Sequence, residues 1–375
     1  MDNYFIHTFE LSYRTTLENI LELTDHGLAE IYGEFKSLKY TDMGITIISR
    51  KCTKEAKDGK GNYKLILIVN PSKLIEHGSY SNEITDADDL IYALGILGTT
   101  IKTILPKLSL NDMKLSRLDI TTDIHGIPEF IIQEYIRIMR RSTLSRGYKL
   151  NCDLEENTVD FRRADSCNVC SKSWGAEFVV YNKRRASMDQ GYPPEYLIFF
   201  KDTMRVELRC SRRYINKIAG KLSAVESLLL IYSKRVELVR AFYENMFKYR
   251  TDLCYVSKRW QLIFIEKRFG GKKTAKKIIE YIRKLNDLGV KSDAALYESC
   301  NTEKSRTRTP SLFNDLGFSP VHILDKTISY MSSLDTVLGF SDVDEKGRCY
   351  KKIKHSKGRK KVIFRYEEYR LSDYL

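Results

Sequence analysis

Three short stretches constrain this chain more than anything else in it. Each alternates polar and apolar residues so regularly that it fits a strand with one dry and one wet face. Side chains on a strand point to opposite sides in turn, so residues two apart point together. In the first stretch Arg117, Asp119, Thr121 and Asp123 share a face, against Leu118, Ile120 and Ile124. In the second, Glu177, Val179, Tyr181 and Lys183 share a face, against Phe178 and Val180. In the third, Arg205, Glu207 and Arg209 oppose Met204, Val206, Leu208 and Cys210. Paired in one sheet, they give an apolar face for a core and a face of carboxylates, a tyrosine and cations.

A half-exposed antiparallel sheet commonly has a polar face, and cross-strand Asp/Arg and Glu/Lys pairs stabilise it modestly. The combination here is more specific. Two aspartates four apart on one strand, with Glu207 or Glu177 on a neighbour, offer oxygens suited to a hard divalent ion, Mg²⁺ or Mn²⁺. Glu207 is preferred, since Arg205 and Arg209 can orient it. Tyr181, followed by Lys183, Arg184 and Arg185, suits attack on a phosphodiester. The cations hold the phosphate and favour the phenolate, whose ordinary pKa is near 10. Tyr192, Tyr196 and Tyr214 lie close in sequence and are alternative nucleophiles.

The rest of the chain gives these strands a context. Tyr4–Ser12 reads as a first strand, and Ile45–Ser49 with Tyr63–Val69 as a hairpin across an open basic loop, Lys54–Asn62. Helices are expected at Leu17–Leu23, at Ala87–Leu105, where Pro106 stops the run, and at Pro128–Met139. Strands interrupted by helices over residues 1–215 predict an α+β fold, an antiparallel sheet with helices packed on one face. Beyond Ser211 the character changes. Ala224–Phe247 and Lys272–Leu288 read as helices, and a third element is expected over Pro320–Leu334. Residues 216–375 are therefore expected to form a mainly helical, basic domain, in keeping with about two domains for 375 residues.

Charge narrows the partner. Lys and Arg number 63 against 49 Asp and Glu, a net +14, which favours a polyanion, nucleic acid ahead of an anionic membrane. Lys258-Arg259-Trp260 and Lys267–Lys273 mix cations with aromatics, as grips on phosphates and exposed bases do. Lys272, Lys273, Lys276 and Lys277 could lie along duplex DNA, or form a solvated helix face. Lys346–Lys361, rich in Lys and Arg and followed by a strand-like Val362–Tyr366, suits backbone contact rather than sequence readout. No apolar stretch approaches the ~18 residues of a spanning helix, and Met1–Glu10 lacks the pattern of a signal peptide. The eight cysteines are scattered and expected to be reduced. Cys167-Asn168-Val169-Cys170 lacks the second pair that a zinc site needs.

The three stretches also carry a family resemblance. Arg117-Leu118-Asp119-Ile120-Thr121-Thr122-Asp123 resembles the R-x-D-x-x-x-D strand of rolling-circle replication initiators of the filamentous-phage and plasmid Rep_trans type, a group related to some conjugative relaxases. Phe178–Lys183 resembles their Y-[ND]-K motif, and Met204–Arg209 their R-x-E-x-R strand. Leu65–Leu74, a strand ending in Asn-Pro-Ser-Lys, is similar to the phage branch. The resemblance spans about residues 40–215. It implies a metal-dependent nicking and joining enzyme acting on single-stranded or cruciform origin DNA. Tyr181 would be the nucleophile beside Lys183, forming a 5′-phosphotyrosine link, with Asp119, Asp123 and Glu207 holding the ion. The cations Arg117, Arg184, Arg185, Arg205 and Arg209 would serve the DNA. It further implies a bacterial cytoplasmic setting with host polymerase and helicase as partners. A sister class uses a His-x-His ligand pair, which this chain lacks; His125 shares a strand face with Asp123 but reads as a turn residue. A conjugative relaxase, a transposase, or a DNA-binding protein without chemistry on the same sheet are the alternatives.

Overall fold

A computed structural model describes residues 4–340 apart from 26–29, 33–36, 43, 53–60, 77–85, 105, 107, 152–164, 249–251, 287–294, 296–297, 301 and 329. The basic loop 54–60, the run Lys346–Lys361 and the expected strand Val362–Tyr366 lie outside the described residues.

The fold is α+β. Among the described residues ten strands form one sheet: β1 (Phe5–Thr15), β2 (Glu30–Tyr32), β3 (Ser37–Asp42), β4 (Ile45–Lys51), β5 (Tyr63–Val69), β6 (Lys114–Ile124), β7 (Tyr148–Leu150), β8 (Ser166–Ser171), β9 (Ala176–Asn182) and β10 (Met204–Ser211). Their order is β2-β3-β4-β5-β1-β6-β10-β9-β8-β7, with antiparallel pairing throughout. The three alternating stretches are β6, β9 and β10, neighbours in this order. Their register sets Asp123 opposite Arg205, Thr121 opposite Glu207 and Asp119 opposite Arg209. On the other side of β10, Arg205 faces Tyr181 and Arg209 faces Glu177.

The dry face is filled as the alternation requires. Leu118, Ile120, Phe178, Val180, Val206 and Leu208 are buried in the core. The helix Glu129–Arg141 packs on β8 and β9, and the helices Arg212–Ala219 and Ala224–Ser233 pack on β6. The expected helix over Ala224–Phe247 is two helices, Ala224–Ser233 and Arg235–Met246, broken at Lys234. Phe178 stacks on Phe242 of the second, with ring centroids 6.4 Å apart, within the usual range for aromatic pairs. The chain turns helical after β10, as expected, yet these helices share the sheet's core.

Pro320–Leu334 departs from expectation. Its described residues are mostly irregular, with a two-residue strand at Tyr330–Met331 and a helix beginning only at Leu334. Side chains take up the backbone groups that a helix would have paired. Asn286 Nδ2 donates to the Pro320 carbonyl (3.0 Å), Arg141 Nη2 to the His322 carbonyl (2.6 Å), and Glu134 Oε2 accepts from the Leu324 and Asp325 amides. Polar side chains of distant helices thus satisfy the segment, information that local periodicity does not carry.

The Cys-x-x-Cys pair lies on β8, where residues three apart face opposite sides. Cys167 is buried in the core while Cys170 is partly exposed, so they do not converge. The β8–β9 turn sets where β9, and with it Tyr181, enters the sheet. Gly175 has φ +72°, and a Cβ there would stand 2.7 Å from Ser211 Oγ and 3.0 Å from Arg213 Cβ. Its carbonyl accepts from both the Ser211 amide and hydroxyl. Gly175→Ala is expected to cost about 1 kcal/mol or more of unfolding free energy, measured by urea denaturation; a neutral substitution would show that the turn relaxes freely.

Candidate functional site

The wet face of β6, β10 and β9 brings the predicted carboxylates, arginines and tyrosine together, but not as a cage of free acids. Each carboxylate is held by an arginine. Arg117 donates through Nε and Nη2 to Asp119 (3.0 and 2.8 Å) and also reaches Glu10 of β1. Arg205 donates through Nε and Nη2 to both oxygens of Asp123. Arg209 donates through Nε to Glu207 Oε2 at 2.9 Å. The other Glu207 oxygen, Oε1, accepts from the Tyr181 hydroxyl at 2.6 Å. Asp119, Asp123, Arg205 and Glu207 are all buried.

Asp119 and Asp123 are four residues apart on one strand, about 13 Å between Cα atoms. Two short side chains and an ion at about 2–2.6 Å from its ligands do not bridge that span. The carboxylate oxygens already accept from Arg117, Arg205, Arg209 and Tyr181. Among the described residues no three His, Cys, Asp or Glu side chains are grouped as a metal site. The set Asp119, Asp123 and Glu207 therefore does not fit one directly bound ion. Same-face spacing is a sound guide to shared surface and a poor guide to shared coordination. Glu207 lies between the two aspartates, opposite Thr121, whose buried Oγ1 has no hydrogen-bond partner among the described residues. Glu177 is in the outer row beside Arg209 and contacts Asn168 instead.

Tyr181 differs from expectation in its proton. Burial, the charge of Glu207 and the hydrogen bond to it hold its pKa well above the ordinary value, and Arg205 only partly opposes them. The phenol is a donor to a carboxylate, not a phenolate. Burial works against the Glu207 charge, but Arg209, the Tyr181 hydroxyl and Arg205 bring its pKa below the usual glutamate value. Glu207 is thus ionised and in place to receive the phenolic proton. Of the alternative tyrosines, Tyr214 is buried in the core against Trp174. Tyr192 and Tyr196 are partly buried in the connection after β9.

Alternation places Lys183 on the strand face with Tyr181. It begins a helix instead, Lys183–Asp189, because the Asn182 side chain caps that helix by accepting from the Arg185 amide at 3.1 Å. The asparagine of the Tyr-Asn-Lys motif is therefore a turning device. Lys183 is buried with its ammonium over the Phe200 ring, 5.0 Å from the centroid. Among the described residues it forms no ion pair. Burial, Arg205 and Lys73 lower its pKa, with Asp123 and Glu207 opposing, to about 8. Arg184 and Arg185 are exposed on this helix, and Arg185 lies 3.4 Å from Asp189.

Sequence reasoning missed three contributors. His7 of β1 sits at a register shift between Ile6 and Thr8, with Nε2 3.4 Å from Arg205 Nη1. Burial and the nearby Arg205 and Lys183 push its pKa down to about 3, so it is neutral. Lys73 belongs to the helix Pro71–Ile75, capped by Asn70 through its side-chain oxygen. The Asn-Pro-Ser-Lys run both ends β5 and starts this helix, which carries Lys73 close enough to Lys183 to depress its pKa. Phe200 comes from the far end of the β9–β10 connection. His125 bonds Thr203 and stands at the turn. Lys272, Lys273 and Lys276 are exposed around the start of the helix Lys273–Asn286, and the sheet face's ion pairs do not reach them.

No family model matches the chain, and no curated protein matches it. Among solved structures, a rolling circle replication initiator protein of Geobacillus stearothermophilus aligns at 10% identity and a TM-score of 0.30, over 65% of this chain and 85% of that one. An uncharacterised conserved protein of Listeria innocua aligns at 9% identity and a TM-score of 0.13, over 54% and 87%. Likenesses at these scores carry no argument about fold or function.

The ion pairs differ in burial, and their loss should differ in cost. Asp123→Asn leaves Arg205 buried without its counter-charge and should cost about 3–5 kcal/mol. Asp119→Asn should cost about 1 kcal/mol, because the Arg117 side chain keeps 41% exposure. Urea denaturation compares them, and equal losses would contradict the ranking. For Lys183, the unfolded chain binds the extra proton between about 8 and the ordinary 10.5, so this group makes stability rise with pH across that window. Lys183→Met should flatten the rise and leave the protein at least as stable as the parent at pH 7. A destabilised variant at pH 7 with an unchanged pH profile would contradict it.

Proposed function

We propose that the wet face of β6, β9 and β10 is a phosphodiester site, and that the chain nicks and rejoins single-stranded DNA through Tyr181, in the manner of a rolling-circle replication initiator. The observation that carries this reading is the Tyr181 hydroxyl, 2.6 Å from an ionised, buried glutamate, on the same face as a buried lysine that forms no ion pair among the described residues.

In the proposed step a phosphate of the strand lies against Lys183, Lys73 and Arg205. Tyr181 Oη attacks phosphorus as its proton passes to Glu207. The Oη–P bond forms, the P–O3′ bond breaks, and the 3′ oxygen leaves as a hydroxyl. Lys183, with its pKa near 8, is matched to supply that proton. A 5′-phosphotyrosine retains the phosphodiester energy, so reversal by a 3′-hydroxyl rejoins the strand. Arg117 and Arg209 orient Asp119 and Glu207 and offset their charge. Exposed Arg184, with Lys272, Lys273 and Lys276 on the helical segment, would extend the contact along the backbone, and host polymerase and helicase would use the freed end. A divalent ion bound with such a strand would polarise the scissile phosphate. No helix among the described residues is long and apolar enough to cross a membrane.

Cleavage of a labelled single strand tests the proposal. Tyr181→Phe keeps the ring and its packing, so folding and DNA binding should be nearly unchanged while cleavage is lost. Glu207→Gln keeps an acceptor but no base and should slow cleavage about 100-fold or more. A parent protein that binds DNA but never cuts it, across origin-derived strands and divalent ions, would favour the alternative of a binding protein without chemistry.

A further inference from the structure

The connection between β9 and β10 holds a feature that the proposed reaction does not use. Asn182 and Met204 are register partners, so residues 183–203 leave the sheet and return at the very end of the Tyr181 and Arg205 strands. The excursion is pinned at its base. The Lys183 amide donates to the Thr203 carbonyl at 3.0 Å, and the Ile127 amide to the Asp202 carbonyl at 3.0 Å. Asp202 itself has φ +51°, a left-handed conformation that Asp tolerates better than most residues, and it turns the chain back into β10. Within the excursion the helices Lys183–Asp189 and Pro194–Leu197 pack on each other. Successive tight bonds follow: Phe199 amide to Tyr196 carbonyl, Phe200 to Leu197, Lys201 to Ile198.

These turns divide three consecutive apolar residues. Phe200 turns inward beneath the Lys183 ammonium. Ile198 and Phe199 turn outward, 73% and 72% exposed, the two most exposed large apolar side chains among the described residues. Isolated exposed apolar residues are ordinary; an adjacent aliphatic–aromatic pair held outward on a pinned excursion is less so. Exposed Lys201 stands two residues after Phe199, and exposed Arg184 stands in the helix at the start of the same excursion.

We propose that Ile198 and Phe199 form an apolar wedge on which an unpaired base next to the reacting phosphate stacks, selecting single strands over duplex. The inference rests on the proposed reading of the Tyr181 site. The occupant is a nucleic acid base rather than a protein, because Phe200, next to the pair, lies under the Lys183 ammonium and so ties the excursion to the groups that suit phosphate, while exposed Arg184 and Lys201 are set against exposed Glu195 in the same excursion. An aromatic ring stacks on any open base face, whereas duplex bases cover theirs.

The test uses the full chain and a fluorescein-labelled oligothymidylate, long enough at about 20 nucleotides to fill a single-strand site, followed by anisotropy over a salt series. The double variant Ile198→Ala, Phe199→Ala should bind about tenfold more weakly, with the parent's slope of affinity against salt, since no cation is lost. Phe199→Trp should keep the parent's affinity and show indole quenching as the oligonucleotide is added. A parent that cuts DNA and a double variant that binds like it would overturn the wedge and leave the nicking reading intact. A parent that neither binds nor cuts the single strand overturns both. A parent that self-associates in sedimentation, with a double variant that is monomeric and binds the strand as tightly, would make the pair a protein contact and also overturn the wedge.

Discussion

The buried pairing of Arg205 with Asp123 is the interaction on which the site depends. Neither side chain has appreciable access to water, at 5% and 4%, and a buried charge of either sign alone would be costly. Held together they fix the position of β10 against β6 at the end nearest Tyr181. The same guanidinium approaches His7 and lies over the Phe5 ring, with its carbon 5.9 Å from the centroid. It therefore links β1, β6 and β10 on the wet face and opposes the rise in the Tyr181 pKa. The pair serves position as much as charge, and loss of function on altering Asp123 would not by itself identify a ligand.

The arrangement separates two tasks that a polar sheet face could confuse. Arginine–carboxylate pairs neutralise the acids and brace the strands. Lys183 and Lys73 supply positive charge on the face, Lys183 without a carboxylate partner among the described residues. A site that lowers a buried lysine's pKa while keeping it over an aromatic ring is costly for stability, and such local conflicts are commonly found where binding or chemistry occurs. The Tyr181–Glu207 couple adds an acid and a base whose pKa values are pushed in opposite directions.

Much of this is legible in the residues alone. Alternation in three stretches yields β6, β9 and β10, their dry faces and the membership of Tyr181, Glu207 and the arginines on one surface, because period two is strict. What it cannot yield follows from the same physics. A strand face says nothing of distance along it, so Asp119 and Asp123 share a surface at a spacing that does not suit direct ligation of one ion. Asn182 ends the strand one residue before Lys183, and the cap places that lysine by helix geometry. His7 lies at a register shift, where alternation fails, and Phe200 and Lys73 arrive from elements set by tertiary packing. The segment after Pro320 escapes for a related reason, since Asn286, Arg141 and Glu134 satisfy it from afar.

The most direct measurement of the central claim is where a covalent link forms. A single strand with a sulfur-substituted scissile 3′ bond traps the adduct by preventing rejoining. Trypsin then yields a peptide, Ser173–Lys183, whose only tyrosine is Tyr181. The account predicts that mass spectrometry finds the nucleotide on this peptide. An adduct on the peptide Ala186–Lys201, which bears both Tyr192 and Tyr196, or cleavage with no protein-linked product, would contradict it.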